Sequence, residues 1–157
     1  MRLVFRFLPM QDIVAFALET LRSLSPVGKG NDPHPGLYRD SHLVFLNGHV
    51  VQDVRAFKVG DQINISNPVP YARKLEIGNG KMQTPLHVYE DGALIVNGRF
   101  GNRAAIRFTF MPVRFGSVAA YAHSLAGQAN ARANRGGNPK NYADWLVRQP
   151  AIEIKAR

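Results

Sequence analysis

Residues 43–51 read LVFLNGHVV, and this stretch decides the first element of the fold. The Asn47-Gly48 pair stands between two apolar runs, the pattern of a β-hairpin with a two-residue type I′ turn. Such a turn fixes the register of the two strands. It pairs Leu46 with His49, Phe45 with Val50, and Val44 with Val51.

Both faces of this predicted hairpin are apolar. One face carries Val44, Leu46, His49 and Val51, and the other carries Leu43, Phe45, Val50 and Gln52. A hairpin at the surface of a protein normally has one polar face. We therefore expect the hairpin to be covered on both sides, either by the rest of the chain or by another subunit.

Helical periodicity predicts two helices in the first hundred residues. Residues 11–24 repeat apolar side chains at helical spacing between Pro9 and Pro26. Residues 86–100 step by three and four through Leu86, Tyr89, Ala93, Val96 and Phe100. Asp91-Gly92 is also a hairpin turn signal, so a turn remains an alternative to the second helix.

Other segments predict strands and a further helix. Residues 57–67 and 106–110 alternate as strands do, residues 152–154 suggest a last strand, and residues 117–132 suggest an Ala-rich helix. The sum is an α+β fold, with an antiparallel β-sheet and its β-hairpin packed against two or three α-helices, plus a basic C-terminal extension. We expect a domain at 1–112 and a basic helical and extended region at 113–157.

Composition excludes several classes of protein. The chain has 157 residues, of which 45% are apolar, so it can bury a core. It has no cysteine, which excludes disulfides, thiolate metal sites and a cysteine nucleophile. Its apolar runs are too short for a membrane-spanning helix, and its opening residues, MRLVFRFLPM, do not have the pattern of a signal peptide.

The charge of the chain is basic and unevenly distributed. The net charge is +9, and residues 1–98 hold ten basic and nine acidic side chains, whereas residues 99–157 hold ten basic and two acidic ones. A basic half attracts nucleic acid, anionic lipid or an acidic partner, although it can also be a solvated surface. No stacking platform accompanies these charges, so any contact with nucleic acid would be to its backbone.

The sequence offers no constellation of catalytic residues. Asp40-Ser41-His42 has the letters of a hydrolase triad, but consecutive residues on a strand point to alternate faces. The five histidines show no paired ligand spacing, and Gly28-Lys29-Gly30 lacks the pattern of a phosphate loop. We therefore predict no enzymatic activity, no metal and no cofactor. The open alternative is a small hydrolase that uses His42 or His49 with a carboxylate.

Three stretches together resemble a known family. Residues 24–28 (LSPVG) and 35–41 (PGLYRDS) lead into the hairpin, and residues 66–78 (SNPVPYARKLEIG) follow it. This arrangement over residues 10–112 resembles the tail-completion or neck proteins, the head–tail joining proteins of tailed bacteriophages. The basic region beyond Pro112 and the loop at 26–36 depart from the family pattern.

The resemblance implies a structural virion protein that forms a ring at the head–tail junction. It implies six copies, or twelve for an adaptor ring beside the portal, together with other neck, portal or tail proteins as partners. The place of action would be the phage neck, after synthesis in the cytoplasm of the host bacterium, without a membrane. A closed ring needs two different contact patches on each subunit.

The family resemblance and the basic half of the chain indicate candidate contact residues. For the subunit interface we predict Val44, Leu46, His49, Val51, Pro70, Tyr71, Arg73 and Glu76. Tyr71 is an aromatic anchor or a core residue, and Arg73 and Glu76 form either inter-subunit ion pairs or a solvated pair. For packaged DNA in the channel, or for an acidic outer partner, we predict Arg132, Arg135 and Lys140. The alternative function is a sequence-independent nucleic-acid-binding module formed by residues 99–157.

Overall fold

The hairpin at Asn47-Gly48 forms as the sequence predicts. In the computed structural model, strands β1 (Leu43–Leu46) and β2 (His49–Val51) pair antiparallel in the predicted register. Both turn residues have positive φ, 51° at Asn47 and 86° at Gly48, which a type I′ turn requires. The structure describes residues 10–27, 35–69, 72–77, 86–113 and 148–157.

Five strands form one antiparallel sheet in the order β2-β1-β3-β5-β4. Strand β3 spans Gln62–Ser66, β4 spans Ala104–Pro112 and β5 spans Arg148–Ala156. The last strand in sequence thus lies between β3 and β4 and pairs with both of them. Residues 148–156 are therefore part of the same sheet as the hairpin, rather than an appendage of it.

Four helices accompany the sheet: α1 (Met10–Leu24), α2 (Leu37–Asp40), α3 (Ala72–Ile77) and α4 (Val88–Phe100). Helix α1 confirms the first predicted helix. Helix α4 confirms the second, so Asp91-Gly92 lies inside a helix and does not form a turn. The α+β class is confirmed, whereas the short helices α2 and α3 were not predicted from periodicity.

The core lies between one face of the sheet and the two long helices. The sheet contributes Ile63, Ile65, Ile152 and Ile154, all fully buried, and α1 contributes Ile13, Ala17 and Leu21. Burying one such aliphatic side chain contributes roughly 1.5–3 kcal/mol. The helical spacing in residues 11–24 predicts a buried stripe of Val14, Ala17, Leu18, Leu21 and Leu24. Val14, Ala17 and Leu21 are buried, whereas Leu24 is 36% exposed.

The opposite face of the sheet is mixed in character. Phe45 is buried at 1% exposure, whereas its partner across the hairpin, Val50, is 47% exposed. The polar side chains of Asn64, Ser66 and Glu153 are also buried. The expected cover on both sides of the hairpin is therefore present at Phe45 and missing at Val50.

In the ranges that the structure describes, no helix is long and apolar enough to cross a bilayer. The helix predicted at 117–132 lies outside those ranges. So does most of the loop at 26–36.

Two glycines of α4 allow a matched test of this packing. A Cβ at Gly92 would lie 2.9 Å from Leu21 Cδ2 and 3.5 Å from Ile152 Cδ1, whereas a Cβ at Gly98 meets nothing within 4 Å. We expect Gly92→Leu to lower the free energy of unfolding by about 1–3 kcal/mol, because overpacking forces neighbours apart. Gly98→Leu should leave it unchanged or raise it by up to about 1 kcal/mol, because glycine is a poor helix former. Urea unfolding measures both variants, and equal losses would contradict the packing described.

Candidate functional site

The most connected polar site in the described part of the chain surrounds His42, the residue just before β1. Its Nε2 lies 2.8 Å from Ser25 Oγ, at the end of α1. Its Nδ1 lies 2.7 Å from the hydroxyl of Tyr89, in the first turn of α4, and 3.3 Å from Nδ2 of Asn67, just after β3. The imidazole therefore links α1, β1, α4 and the segment that follows β3.

The direction of each hydrogen bond follows from the available acceptors. Ser25 Oγ donates its only hydrogen to the carbonyl oxygen of Leu21, so it accepts a hydrogen from His42 Nε2. His42 Nδ1 then has no hydrogen and accepts from the hydroxyl of Tyr89. A serine hydrolase needs the opposite polarity, in which the imidazole accepts the proton of the serine. The arrangement therefore suits a structural link between elements.

Asn67 extends this network along the backbone. Its Nδ2 donates to the carbonyl oxygen of Tyr38, in α2, at 2.8 Å, and its Oδ1 accepts from the N–H of Val69 at 3.0 Å. Asn67 is fully buried. It therefore holds the short helix α2 against the end of β3.

Burial also sets the protonation of the site. Loss of solvent, with a smaller contribution from the nearby Arg22 guanidinium, lowers the pKa of His42 to about 4, while Asp40 opposes the shift. Burial likewise raises the pKa of Tyr89 well above its ordinary value. Both groups are therefore neutral at pH 7, as a buried network without a counter-ion requires.

A second buried polar group, Glu76 of α3, caps helix α4. Its Oε1 accepts the N–H of Tyr89 at 2.7 Å, and its Oε2 accepts the N–H of Glu90 at 3.0 Å. Burial raises the pKa of the Glu76 carboxyl, although these two backbone donors oppose the shift. The side chain satisfies two of the free N–H groups at the start of the helix and fixes α3 against α4.

Glu76, His87 and Glu90 bring ligand atoms within 4.8 Å of one another, the one such group in the ranges described. His87 Nδ1 lies 3.1 Å from Glu90 Oε2. Both oxygens of Glu76 already accept helix N–H groups, and the positive end of the helix dipole opposes a cation there. Glu76 therefore serves as a helix cap, and His87 and Glu90 form a contact at the surface beside it.

The residues predicted for a subunit interface are dispersed in the structure. Val44 lies in the core, and Leu46 and Val51 pack partly against it. His49 is exposed on β2. Pro70 and Tyr71 lie outside the described residues, as do Arg132, Arg135 and Lys140. The roles predicted for these five residues stay predictions.

Arg73 and Glu76 both contact groups of their own chain. Nη1 of Arg73 donates to the carbonyl oxygen of Arg148 at 2.9 Å, and its guanidinium lies 4.7 Å from the centroid of the Phe110 ring. Arg73 thus ties α3 to β5 and β4, with a cation–π contact as part of the tie. Arg73 and Glu76, three positions apart in the sequence, therefore hold different pairs of elements together.

Asp40, Ser41 and His42 also have separate partners. Asp40 contacts Arg22 and Arg39, and the hydrogen bond from Arg39 holds the pKa of the Asp40 carboxyl below its usual value. Ser41 donates to the carbonyl oxygen of Leu37. The three consecutive residues do not form a relay, but the reason differs from the predicted alternation along a strand, because Asp40 ends α2 and Ser41 and His42 precede β1.

Comparison of the chain with protein-family models, with curated proteins and with solved structures finds no match. The function must therefore follow from the chain's own residues and from the resemblance of its motifs.

The shifted pKa of His42 predicts a dependence of stability on pH. The unfolded chain takes up a proton near pH 6.5, whereas the folded protein resists protonation until about pH 4. Stability is therefore lost as the pH falls through this window, by about 2 kcal/mol between pH 7 and pH 5. In urea unfolding at both pH values, His42→Gln should remove this loss and the exposed His49→Gln should keep it. An unchanged difference in His42→Gln would show that other groups cause the loss.

The cap on α4 makes a second prediction. Glu76→Gln leaves one acceptor oxygen for two backbone donors, so we expect the free energy of unfolding to fall by about 1–2 kcal/mol. Glu90→Gln, at an exposed position of the same helix turn, is the matched control and should change stability by less than about 0.5 kcal/mol. Thermal and urea unfolding measure both, and equal effects would contradict the cap.

Proposed function

We propose that this chain is a structural subunit that assembles into a ring at the head–tail junction of a tailed bacteriophage, where it joins the portal side to the tail and surrounds the DNA channel. The proposal begins from the resemblance of its motifs to tail-completion and neck proteins. Its physical support comes from what those motif residues do and from the apolar surface that the fold leaves exposed.

The motif residues serve the fold. Ser25 of the first motif contacts His42, and Asn67 of the last motif holds α2. Glu76, from the same last motif, caps α4. Motifs that maintain a scaffold are what a family of structural subunits would share. The hydrolase alternative needs His42 or His49 beside a carboxylate, whereas the two ring nitrogens of His42 lie within hydrogen-bond distance of the Ser25 and Tyr89 hydroxyls.

The observation that carries the proposal is a pair of separate exposed apolar patches. The helix patch consists of Leu94, 67% exposed, and Ile95, 45% exposed, on the outer face of α4. The hairpin patch consists of Val50, 47% exposed, and Val59, 85% exposed, on β2 and the loop after it. Large aliphatic side chains exposed in pairs are typical of contact surfaces.

The two patches lie toward opposite edges of the domain. Helix α4 packs against α1, β4 and β5, whereas Val50 of the hairpin patch lies on the edge strand β2 and Val59 lies in the loop between β2 and β3. Four strand spacings separate β2 from β4, about 19 Å at about 4.8 Å per strand. Two different patches on opposite sides suit a head-to-tail contact, in which each subunit offers one patch to each neighbour and the repeat closes into a ring.

This geometry changes which residues we assign to the interface. Val44 and Glu76 are committed to internal packing, and Leu46 and Val51 are largely so. Among the exposed residues, we assign those of the helix patch and the hairpin patch to the contact with a neighbour. Tyr71 remains a further interface prediction.

Two charge variants test the ring and its contact together. We expect the wild-type chain to form closed rings at high concentration, and we expect Leu94→Glu and Val59→Glu to be folded monomers, because each loses one patch. A mixture of the two variants should yield dimers of twice 17.4 kDa, since one intact helix patch can still meet one intact hairpin patch. Light scattering after gel filtration, with circular dichroism for folding, measures each state.

The matched control is Leu37→Glu, at an exposed leucine outside both patches, which should still form rings. If the wild type forms rings but the mixture of the two variants stays monomeric, the contact between these patches is disproved. A wild-type chain that stays monomeric at every concentration would disprove self-assembly. Antibodies against the chain should label the head–tail junction of particles that carry its gene, and labelling elsewhere would disprove the location.

A further inference from the structure

The sheet carries a basic surface where β4 begins and β5 ends. Backbone alternation places Arg107 and Lys155 on the face opposite the helices. Arg103 and Arg157 lie next to the paired ends of these strands, and we call the four residues the basic ladder. The register pairs Ala105 with Lys155 and Arg107 with Glu153, and the N–H of Arg157 donates to the carbonyl oxygen of Arg103, which adds one more rung.

The basic ladder is exposed and incompletely neutralised. The side chain of Arg107 is 68% exposed and that of Lys155 is 54% exposed, and Arg103 and Arg157 are also exposed. Glu153, buried between Arg107 and Lys155, is the only acidic side chain in residues 103–112 and 148–157, so the four cations of the ladder and this one anion have a net charge of +3. Like charges that lie opposite each other on paired strands destabilise a sheet.

We propose that the basic ladder binds the sugar-phosphate backbone of duplex DNA without reading its sequence. A bound polyanion supplies the negative charge that the strands themselves lack, so its attraction to each cation offsets the repulsion among the cations. Each lysine or arginine that neutralises a phosphate releases a condensed counter-ion, so the contact is sensitive to salt.

Two features favour duplex DNA over other polyanions. The centre of a protein–protein contact is normally apolar, and the exposed part of this ladder consists of charged side chains without an apolar anchor. Single-stranded nucleic acid is normally held by stacking on aromatic rings. On this face of the described strands the aromatic residue is Phe45, which is 1% exposed, while Phe108 and Phe110 alternate onto the other face.

The inference goes beyond the proposed ring and does not require it. Within a ring, several copies of the ladder would repeat the same charge around a channel and give a weak, salt-screened hold on DNA. Outside a ring, a single chain would still carry the surface. Binding and assembly can therefore succeed or fail separately.

Fluorescence anisotropy with a labelled duplex of about 20 base pairs, over a series of salt concentrations, tests the ladder in the full-length chain. We expect Arg103→Gln combined with Lys155→Gln to weaken binding and to reduce the slope of log affinity against log salt by about 1.8, because two phosphate contacts are lost. The matched control removes two other exposed charges, through Arg22→Gln combined with Arg55→Gln. It should leave the slope unchanged.

Three outcomes would overturn the inference. Equal effects of the two double variants would show that binding follows net charge alone. An unchanged slope in the ladder variant would place the contact elsewhere. Ladder-dependent binding of poly-glutamate, with no binding of duplex, would assign the surface to an acidic protein. If rings form normally while any of these results holds, the proposed function stands and the DNA-binding inference fails. If the chain binds DNA through the ladder but never assembles, the inference stands and the proposed function fails.

Discussion

The fold depends on one neutral imidazole. His42 receives a hydrogen bond from Tyr89 and donates one to Ser25, and it lies beside Asn67, so a single ring joins both long helices to the start of β1 and to the end of β3. A buried hub of this kind is stable only when every donor has an acceptor, and here the carbonyl oxygen of Leu21 completes the chain. The segments brought together are the same ones that carry the motifs, so those motifs describe how the chain is held together.

Local signals in the sequence predicted local structure well. Asn47-Gly48 set the hairpin and its register, because the turn type leaves one way to pair the strands. The choice between helix and turn at Asp91-Gly92 was settled by tertiary contacts, since Gly92 gives Leu21 and Ile152 room to approach α4 and Glu76 caps the helix start. The short helices α2 and α3 have too few residues to show a period, so helical spacing could not predict them.

The polar site was harder to predict, because its members come from distant parts of the chain. Ser25, Asn67 and Tyr89 are 17, 25 and 47 residues from His42 along the sequence. Spacing rules detect neighbours within a helix or a strand, and these contacts exist only after the sheet and the helices have packed. The apolar pattern of the hairpin likewise left open whether its own chain or a neighbour covered it. In the structure, Val44 on one face of the hairpin is buried, whereas Val50 on the other face is exposed.

The position of β5 has a consequence for how the protein is made. Because β5 lies between β3 and β4, the strands of the first 112 residues cannot form a continuous sheet by themselves. The strand that joins them is synthesised only after β4 and the residues at 113–147 that follow it. A nascent chain that stops before β5 leaves the facing edges of β3 and β4 unpaired and lacks Ile152 and Ile154 in its core, a state prone to degradation or aggregation.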